Sequence, residues 1–582
     1  MAALVLLLAG AALRQPPAVR AARSVQPVIP LTNPDAACAG CHQAIVASYE
    51  RTPMAQGSGV ATAALVPGSF SHAASGVDYR VFLRDGAAWF SYARTAGKPG
   101  GELGGEEQLQ YFVGSGKRGR TYLFTRGGQW YELPINFYTR QAQWDMAPAF
   151  DNVTAMPGPL PTDAGCLHCH ATAVATPEPT ARNRFAGAPF AQGGIGCSAC
   201  HGDPTAHLAA KGHEPIVNPD KLSVARRDSS CLQCHLEGDA VVYRAGRSLA
   251  QFRAGDDLAD DAVYFVRASQ VSGGARATSQ YEALLKSACR RAAGDRLTCT
   301  TCHDPHASPS ATERVAYFRA RCLSCHSSPA MATSHHPEQQ DCASCHMPSR
   351  NASDISHEQV TDHDIERRPV AAGGMHLAAL ATGEDLVPVG NVAVGDRERG
   401  LAYAQMAQRG NKGAGERALR LLTEAEARAS TASDAAASAA PGTLPAVDDQ
   451  LHLNLGYLEQ MAGRPERARV EYAAALRANP YEPGALADMA VLDASSGRVP
   501  EAVRLLDRLV MADAGQTAAG LDLAFIECRL GRVGEARETA ERVLGANPDS
   551  PALRQFLRTG EYAGQSCRAM LAPVLTGLSG DR

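Results

Sequence analysis

Hydrophobic and polar positions change their spacing three times along this chain. From about residue 68 to 150, apolar residues alternate with polar ones at the two-residue period of strands with one face buried. Tyr79–Leu83 (YRVFL), the turn RDG and Ala87–Ala93 (AAWFSYA) predict one hairpin. Thr121–Thr125 (TYLFT), RGG and Gln129–Pro134 (QWYELP) predict a second. From about 151 to 376 the chain is rich in turn residues and carries no long amphipathic pattern, so it offers no ordinary core of its own. After Asp396 the pattern becomes alanine-rich and helical, with a period of 34 residues: Gly463, Gly497 and Gly531 repeat at that spacing, as do Ala468, Ala502 and Ala536, and Pro480 and Pro548 close two units. The glycine lets one helix turn tightly into the next, and the alanine lets the two approach. LNLG at Leu453–Gly456 and Tyr472 fill further places of the unit. Gly413 and Ala418 show the same five-residue offset, so residues 397–428 read as a degenerate first unit, followed by an Ala/Ser/Pro-rich linker, residues 430–447.

At 582 residues the chain is too long for one hydrophobic core. Its expected division is a signal peptide or N-terminal anchor over 1–24, a loop-rich region over 25–380 with a small β-rich insertion at 68–150, a linker over 381–396, and helical repeats over 397–560. The fold class expected is mostly α, with an α-solenoid at the C-terminal end. The apolar run Ala2 to Leu13, with small residues at Ala9 to Ala11, resembles the hydrophobic centre of a secretory signal, although arginines follow it rather than precede it. It is too short to span a bilayer, and no later segment offers a spanning helix. A formal net charge of -4 argues against a nucleic-acid partner held by phosphate contacts. Trp89, Trp130 and Trp144 all fall in the β-rich stretch, where core packing is their expected role. GSGKRGRT at Gly114–Thr121 has Arg118 where a phosphate loop needs Ser or Thr, so it reads as a turn.

The 17 cysteines decide the chemistry. Fourteen fall in seven repeats of one pattern, CxxCH: Cys38, Cys41, His42; Cys166, Cys169, His170; Cys197, Cys200, His201; Cys231, Cys234, His235; Cys299, Cys302, His303; Cys322, Cys325, His326; and Cys342, Cys345, His346. Zinc ribbons pair CxxC units but do not require histidine at the next position, and a dithiol redox site needs only one CxxC. Covalent haem attachment needs two thiols for the two vinyl groups and an adjacent imidazole for the iron, which one such motif supplies. Seven covalently attached haems c are therefore expected. Haem c is attached outside the cytoplasm, which agrees with an export signal and predicts a periplasmic or extracytoplasmic protein, membrane-associated if the N-terminus stays attached. Cys322 follows His303 by only 19 positions and Cys342 follows His326 by 16, so the last three haems must pack closely.

A haem that only passes electrons has both axial positions filled, whereas a catalytic haem leaves one open. Ten further histidines compete for seven sixth positions: His72, His168, His207, His213, His306, His335, His336, His357, His363 and His376. His306 and His207, a few residues beyond proximal histidines, suit neighbouring haems. His72 and His363 lie outside any motif and suit long-range ligation. His335 and His336 are adjacent, so one of them, taken as His336, is expected to ligate. His168 lies inside its own CxxC bridge and is expected to be exposed. Met54 is a weaker candidate, and Met347 is expected to pack. Cys528 and Cys567 are expected to be buried, inert thiols.

IGCSACHGDPTAH (195–207), LTCTTCHDPH (297–306), CASCHMP (342–348) with DHDIERRP (362–369), and LPINFYT (133–139) before WDMAPAFD (144–151) resemble multihaem cytochromes c of the doubled-CxxCH type fused to C-terminal tetratricopeptide repeats. The resemblance implies extracytoplasmic electron transfer and supports His207, His306 and His363 as distal ligands. The CxxCK motif of ammonia-forming nitrite reductases, wider relatives of this group, is absent from the sequence. The leading expectation is an electron carrier with no catalytic residue, whose partners are redox proteins and a peptide or protein docked on the repeats. Two others stand beside it: an oxidoreductase acting on a small nitrogen or sulfur compound at one open haem, with Cys289 as a thiolate ligand or active-site thiol, and a scaffold whose repeats dock partners while the haems wire the assembly.

Overall fold

Both predicted hairpins form, and each closes through two residues of positive φ: Asp85 (52°) with Gly86 (74°), and Gly127 (58°) with Gly128 (81°). Such two-residue turns match the right-handed twist of the strands they join. The fold comes from a computed structural model that describes residues 25–98, 100–268, 276–327, 341–366, 385–439 and 447–567. Helix α1 (Ala39–Tyr49) leads into β1 (Ser58–Val60), β2 (Gly68–His72), β3 (Val77–Arg84), β4 (Ala87–Arg94) and β5 (Leu103–Val113). There follow β6 (Gly119–Arg126), β7 (Gln129–Glu132), β8 (Ile135–Tyr138), β9 (Gln143–Met146) and β10 (Leu160–Pro161). These ten strands form one antiparallel sheet with the central order β10-β7-β6-β5-β4-β3-β2, β1 pairing with β5 and β8 with β6 and β9.

The β-rich part is thus larger than the small insertion expected at 68–150, and the chain is mixed α/β rather than mostly α. Apart from the 11-residue β5, the strands beyond the two hairpins are two to five residues long, too short for alternation to be read from sequence. On one face Tyr79, Val81, Phe90, Tyr122, Phe124 and Trp144 close the main core. On the other, Tyr111, Leu123 and Trp130 pack with Leu167, Phe185 and Phe190. Trp89, Trp130 and Trp144 are all buried, as expected for core residues. Of the Gly114–Thr121 string, residues 114–118 connect β5 to β6 and the last three begin β6.

The region of the CxxCH motifs is made of short pieces. In chain order they are α2 (Ala164–His168), β11 (Ala171–Val174), β12 (Phe190–Gly193), α3 (Ser198–His201), α4 (Thr205–Ala209), α5 (Val224–His235), β13 (Ala240–Tyr243) and β14 (Ala262–Arg267). After them come α6 (Gln280–Lys286), α7 (Ala288–Ala293), α8 (Cys299–Cys302), α9 (Arg314–Leu323), α10 (Cys342–His346), β15 (Ser349–Asn351), β16 (Gln359–Thr361) and β17 (Leu386–Pro388). Strands β13, β14 and β17 form a three-stranded sheet whose buried Val242, Val263 and Phe265 share a core with the first repeat helices. Gln405 ties that joint by bonding both the N–H and the C=O of Val241.

The repeats are helix pairs: α11 (Asp396–Gln408) with α12 (Lys412–Ala439), α13 (Asp449–Met461) with α14 (Pro465–Ala478), α15 (Pro483–Ser495) with α16 (Val499–Ala512), and α17 (Thr517–Arg529) with α18 (Val533–Ala546), capped by α19 (Pro551–Thr559). Gly463, Gly497 and Gly531 each sit at positive φ just past the first helix of a pair, as the period predicts. In the first pair that place belongs to Gly410 (φ 94°), not Gly413, which lies inside α12; the five-residue offset from Ala418 was a coincidence of register. A Cβ on Gly456 would stand 2.6 Å from the ring of Tyr472, so this glycine lets the pair close on its tyrosine. Helix α12 continues to Ala439 through half of the stretch read as a linker, and 440–446 lie outside the described residues. The same holds for 1–24, His335, His336 and His376.

Cys528 and Cys567 are not inert thiols but form a disulfide, buried on both sides, that ties the segment after α19 to α17. Their 39-residue separation follows no motif, so the pairing carries no sequence signal. Among the described residues no helix is long and apolar enough to cross a membrane.

Candidate functional site

Each of the seven CxxCH motifs overlaps the start, the end or the whole of a helix, and the local reason is spacing. Residues i, i+3 and i+4 of one helical turn lie on the same side, so a turn presents both thiols and the imidazole together. The i+4 bond that builds this turn joins the histidine N–H to the first cysteine's carbonyl: His42 to Cys38 (2.9 Å), His201 to Cys197 (2.9 Å), His303 to Cys299 (3.0 Å) and His326 to Cys322 (3.0 Å). All fourteen motif cysteines are free thiols, and none is fully buried.

The motifs are held close to one another. Leu167, inside the second motif, is buried against Tyr111 and Phe190 beneath the sheet. Antiparallel β11 and β12 pair Ala171 with Gly193 and so bring the second motif, which ends at His170, to the same end as the third, and Ser58 of β1 ties that end by donating to His170 O (2.8 Å) and accepting from Gly194 N (3.0 Å). Asp35 accepts from Cys197 N (3.1 Å) and from Gln192 Nε2 (2.7 Å), and its carboxylate and the thiols of Cys38 and Cys197 lie within 4.8 Å of one another. The thiols of Cys169 and Cys234, Cys231 and Cys299, and Cys322 and Cys342 likewise meet. The first motif therefore adjoins the third, the second the fourth, the fourth the fifth, and the sixth the seventh.

Together they wall one cavity of about 4660 Å³. That is several times the ~300–1,000 Å³ of an ordinary small-molecule site. Every motif contributes to the wall, although the second gives only His168 and Cys169. This donor set fits haem c: each motif offers two free thiols and an imidazole within five residues, and the motifs surround space for several large cofactors. When bound, haem supplies a one-electron redox centre at its iron.

The histidines are prepared as ligands through their second nitrogen. Nδ1 of His201 bonds Val217 O (2.8 Å), that of His207 bonds Glu214 O (2.7 Å), that of His346 bonds Glu366 O (2.6 Å) and that of His363 bonds Thr361 O (2.9 Å). A carbonyl on Nδ1 fixes the proton there and leaves Nε2 as the basic nitrogen, the arrangement found behind metal-bound imidazoles. Burial holds His170, His235, His306 and His363 below their ordinary pKa; burial and the neighbouring His363 bring His303 to about 4. Neutral imidazole is the form that binds iron.

Two pairs of imidazoles face each other across the cavity. His201 and His306 have ring centres 5.9 Å apart and planes inclined by 10°; His303 and His363 are 6.2 Å apart at 28°. Two imidazoles bound on opposite sides of one metal at ~2.0–2.1 Å would hold their ring centres roughly 6 Å apart. His207 also lines the cavity, as do Met54, Met347 and Cys289.

Other candidates are placed differently. His72 does not reach the cavity wall: it stands on β2 beside Phe70 and bonds Ser75 Oγ through Nδ1 (2.8 Å). His357 is engaged with Asp145 (2.8 Å) and packs edge-on to Tyr138, and His213 is exposed and away from the wall. His168 is not exposed as expected but half-buried, with Nε2 on Gln233 Oε1 (2.8 Å). His336 is outside the described residues. The carbonyls of Val217, Glu214, Thr361 and Glu366, which orient the imidazoles, had no sequence signal, because any residue carries one. Arg296, Arg314, Arg319 and Arg321, which also line the wall, were not singled out; their clustering after Cys289 was the available hint.

Comparison with known families agrees with this architecture. Residues 141–202 match the family described as cytochrome c554 and c-prime, 291–331 match the doubled CXXCH motif, and 460–521 match the tetratricopeptide repeat. No curated protein sequence matches the chain. Similar solved structures include a tetratricopeptide repeat protein from Parabacteroides merdae (18% identity, 32% of this chain and 68% of that one, TM-score 0.22). Two others are crystal forms of MamA AMB-1, at 18% identity (28% and 81% covered, TM-score 0.22) and 16% (32% and 91%, TM-score 0.23). Likenesses this slight carry no argument. The CxxCH turns, the shared cavity and the family matches lead to one conclusion: the chain is a multihaem cytochrome c with tetratricopeptide repeats and covalently bound haem c.

Proposed function

We propose that this cytochrome carries electrons outside the cytoplasm along a row of seven haems, and that its repeats dock a partner protein. The observation that carries the reading is the single cavity walled by residues of all seven motifs, since closely spaced centres suit conduction. Each CxxCH holds one haem through its two cysteines and binds its iron through its histidine. With haem bound, His306 would share an iron with His201 and His363 with His303, and His207 would serve a further haem. Localisation is supported by the Cys528–Cys567 disulfide, which suits an oxidising compartment. The repeat pairs stack into an α-solenoid of the kind that binds proteins or extended peptides. Iron and haem content per chain tests the count: seven of each is expected, and fewer would overturn it.

A second reading, an oxidoreductase acting on a small nitrogen or sulfur compound, is favoured by one observation. Among the described residues, only His168, His207, His306 and His363 line the cavity besides six of the proximal histidines, and Cys289 lines it too. An open haem would bind carbon monoxide in the reduced protein, and loss of turnover in Cys289→Ser would assign that thiol. A fully reduced protein that binds none would exclude this reading.

A further inference from the structure

The repeat region contains a single histidine, His452, the only one of the chain's 18 beyond residue 376. It sits on α13 between two glutamates from different helices. Its Nδ1 is 2.7 Å from Glu471 Oε2 on α14 and 3.9 Å from Glu426 Oε1 on α12. One donor atom from each residue lies within 4.8 Å of the other two. The three side chains are partly buried, exposed by 17%, 15% and 34% for His452, Glu471 and Glu426.

We propose that Glu426, His452 and Glu471 bind one divalent first-row cation of the zinc type, which ties the first repeat pair to the second. One imidazole and two carboxylates form a donor set that zinc accepts, with the remaining position left to water. Metal–ligand bonds of ~2.0–2.2 Å place opposite ligands at most about 4.4 Å apart, so small side-chain rotations close the site. Its position has a structural meaning. Elsewhere in the array four residues separate one pair from the next helix, whereas nine separate Ala439 from Asp449. A cation held by α12, α13 and α14 supplies across that interval the cross-link that a short turn supplies elsewhere. The site is separate from the haem cavity, whose wall includes none of the three residues.

The test uses the full haem-loaded chain, stripped with chelator and then titrated with Zn²⁺ by calorimetry. Iron in the same sample gives the protein concentration. One zinc per chain is expected, with a zinc absorption edge showing imidazole and oxygen neighbours and no sulfur. The Glu426→Gln/Glu471→Gln double variant, checked by circular dichroism for intact helices, is expected to bind at least about 100-fold more weakly. Should that variant misfold, His452→Gln replaces it with the same expectation. Absence of zinc binding by the unaltered chain, sulfur at the zinc edge, or equal binding by the variants would overturn the proposal.

Discussion

The imidazole of His306, three residues past a proximal histidine, faces His201 of the third motif with ring centres 5.9 Å apart and planes inclined by only 10°. Its own motif's His303 faces instead His363, sixty residues later, at 6.2 Å. If these are axial pairs, replacing the distal member opens one coordination position. His306→Ala and His363→Ala are each expected to convert one haem from low-spin to high-spin ferric, read by magnetic resonance, with haem content unchanged. A spectrum identical to that of the unaltered protein would show that the paired imidazoles do not share an iron.

The sheet and the last repeat are joined by a buried ion pair. Arg94 of β4 donates to both oxygens of Asp549, Nη1 to Oδ2 at 2.7 Å and Nη2 to Oδ1 at 2.5 Å, and both side chains are 2% exposed. Asp549 Oδ2 also accepts from Met156 N (2.7 Å). Removing one partner strands a charge away from water, at a cost of about 3–5 kcal/mol. Asp549→Ala should lower the denaturant midpoint accordingly, whereas exposed Arg504→Ala, whose partner is Glu501, should change it little.

The disulfide closes a 39-residue loop over the end of the array. Restricting the unfolded chain in this way is worth about 2–4 kcal/mol. A Cys528→Ser/Cys567→Ser double variant should therefore unfold at lower denaturant concentration, and reductant should lower the midpoint of the unaltered chain but not that of the variant.

Glu132 on β7 gives a pH dependence. Burial raises its pKa from an ordinary 4.5 to about 7. The folded chain keeps a proton that the unfolded chain releases, so stability is greatest below pH 4.5 on this account, falls as pH rises towards about 7, and is level above that. Glu132→Gln should remove this slope, seen as unfolding midpoints compared between pH 5 and 8.

What could be read in the sequence had a local cause. RDG and RGG carry their turns in two residues, the helix pairs repeat at 34, and each CxxCH packs a whole ligand set into five residues. What could not be read depends on distant parts of the chain. Strands β1 and β10 exist because β5 and β7 offer them edges. His72 looked like His363 in sequence, yet the sheet holds one away from the cavity and the β16 strand end delivers the other into it. Cys528 and Cys567 meet only because the chain after α19 folds back onto α17, and Gly410 rather than Gly413 turns the first pair because α12 begins at Lys412.

The central claim, a row of seven haems coordinated for electron transfer, is tested most directly by magnetic resonance of the fully oxidised protein with its iron counted. The account predicts seven irons per chain, with low-spin signals that account for most of them and include the pairs His201–His306 and His303–His363. Fewer than seven irons, or a majority of high-spin five-coordinate haems in the resting protein, would contradict it.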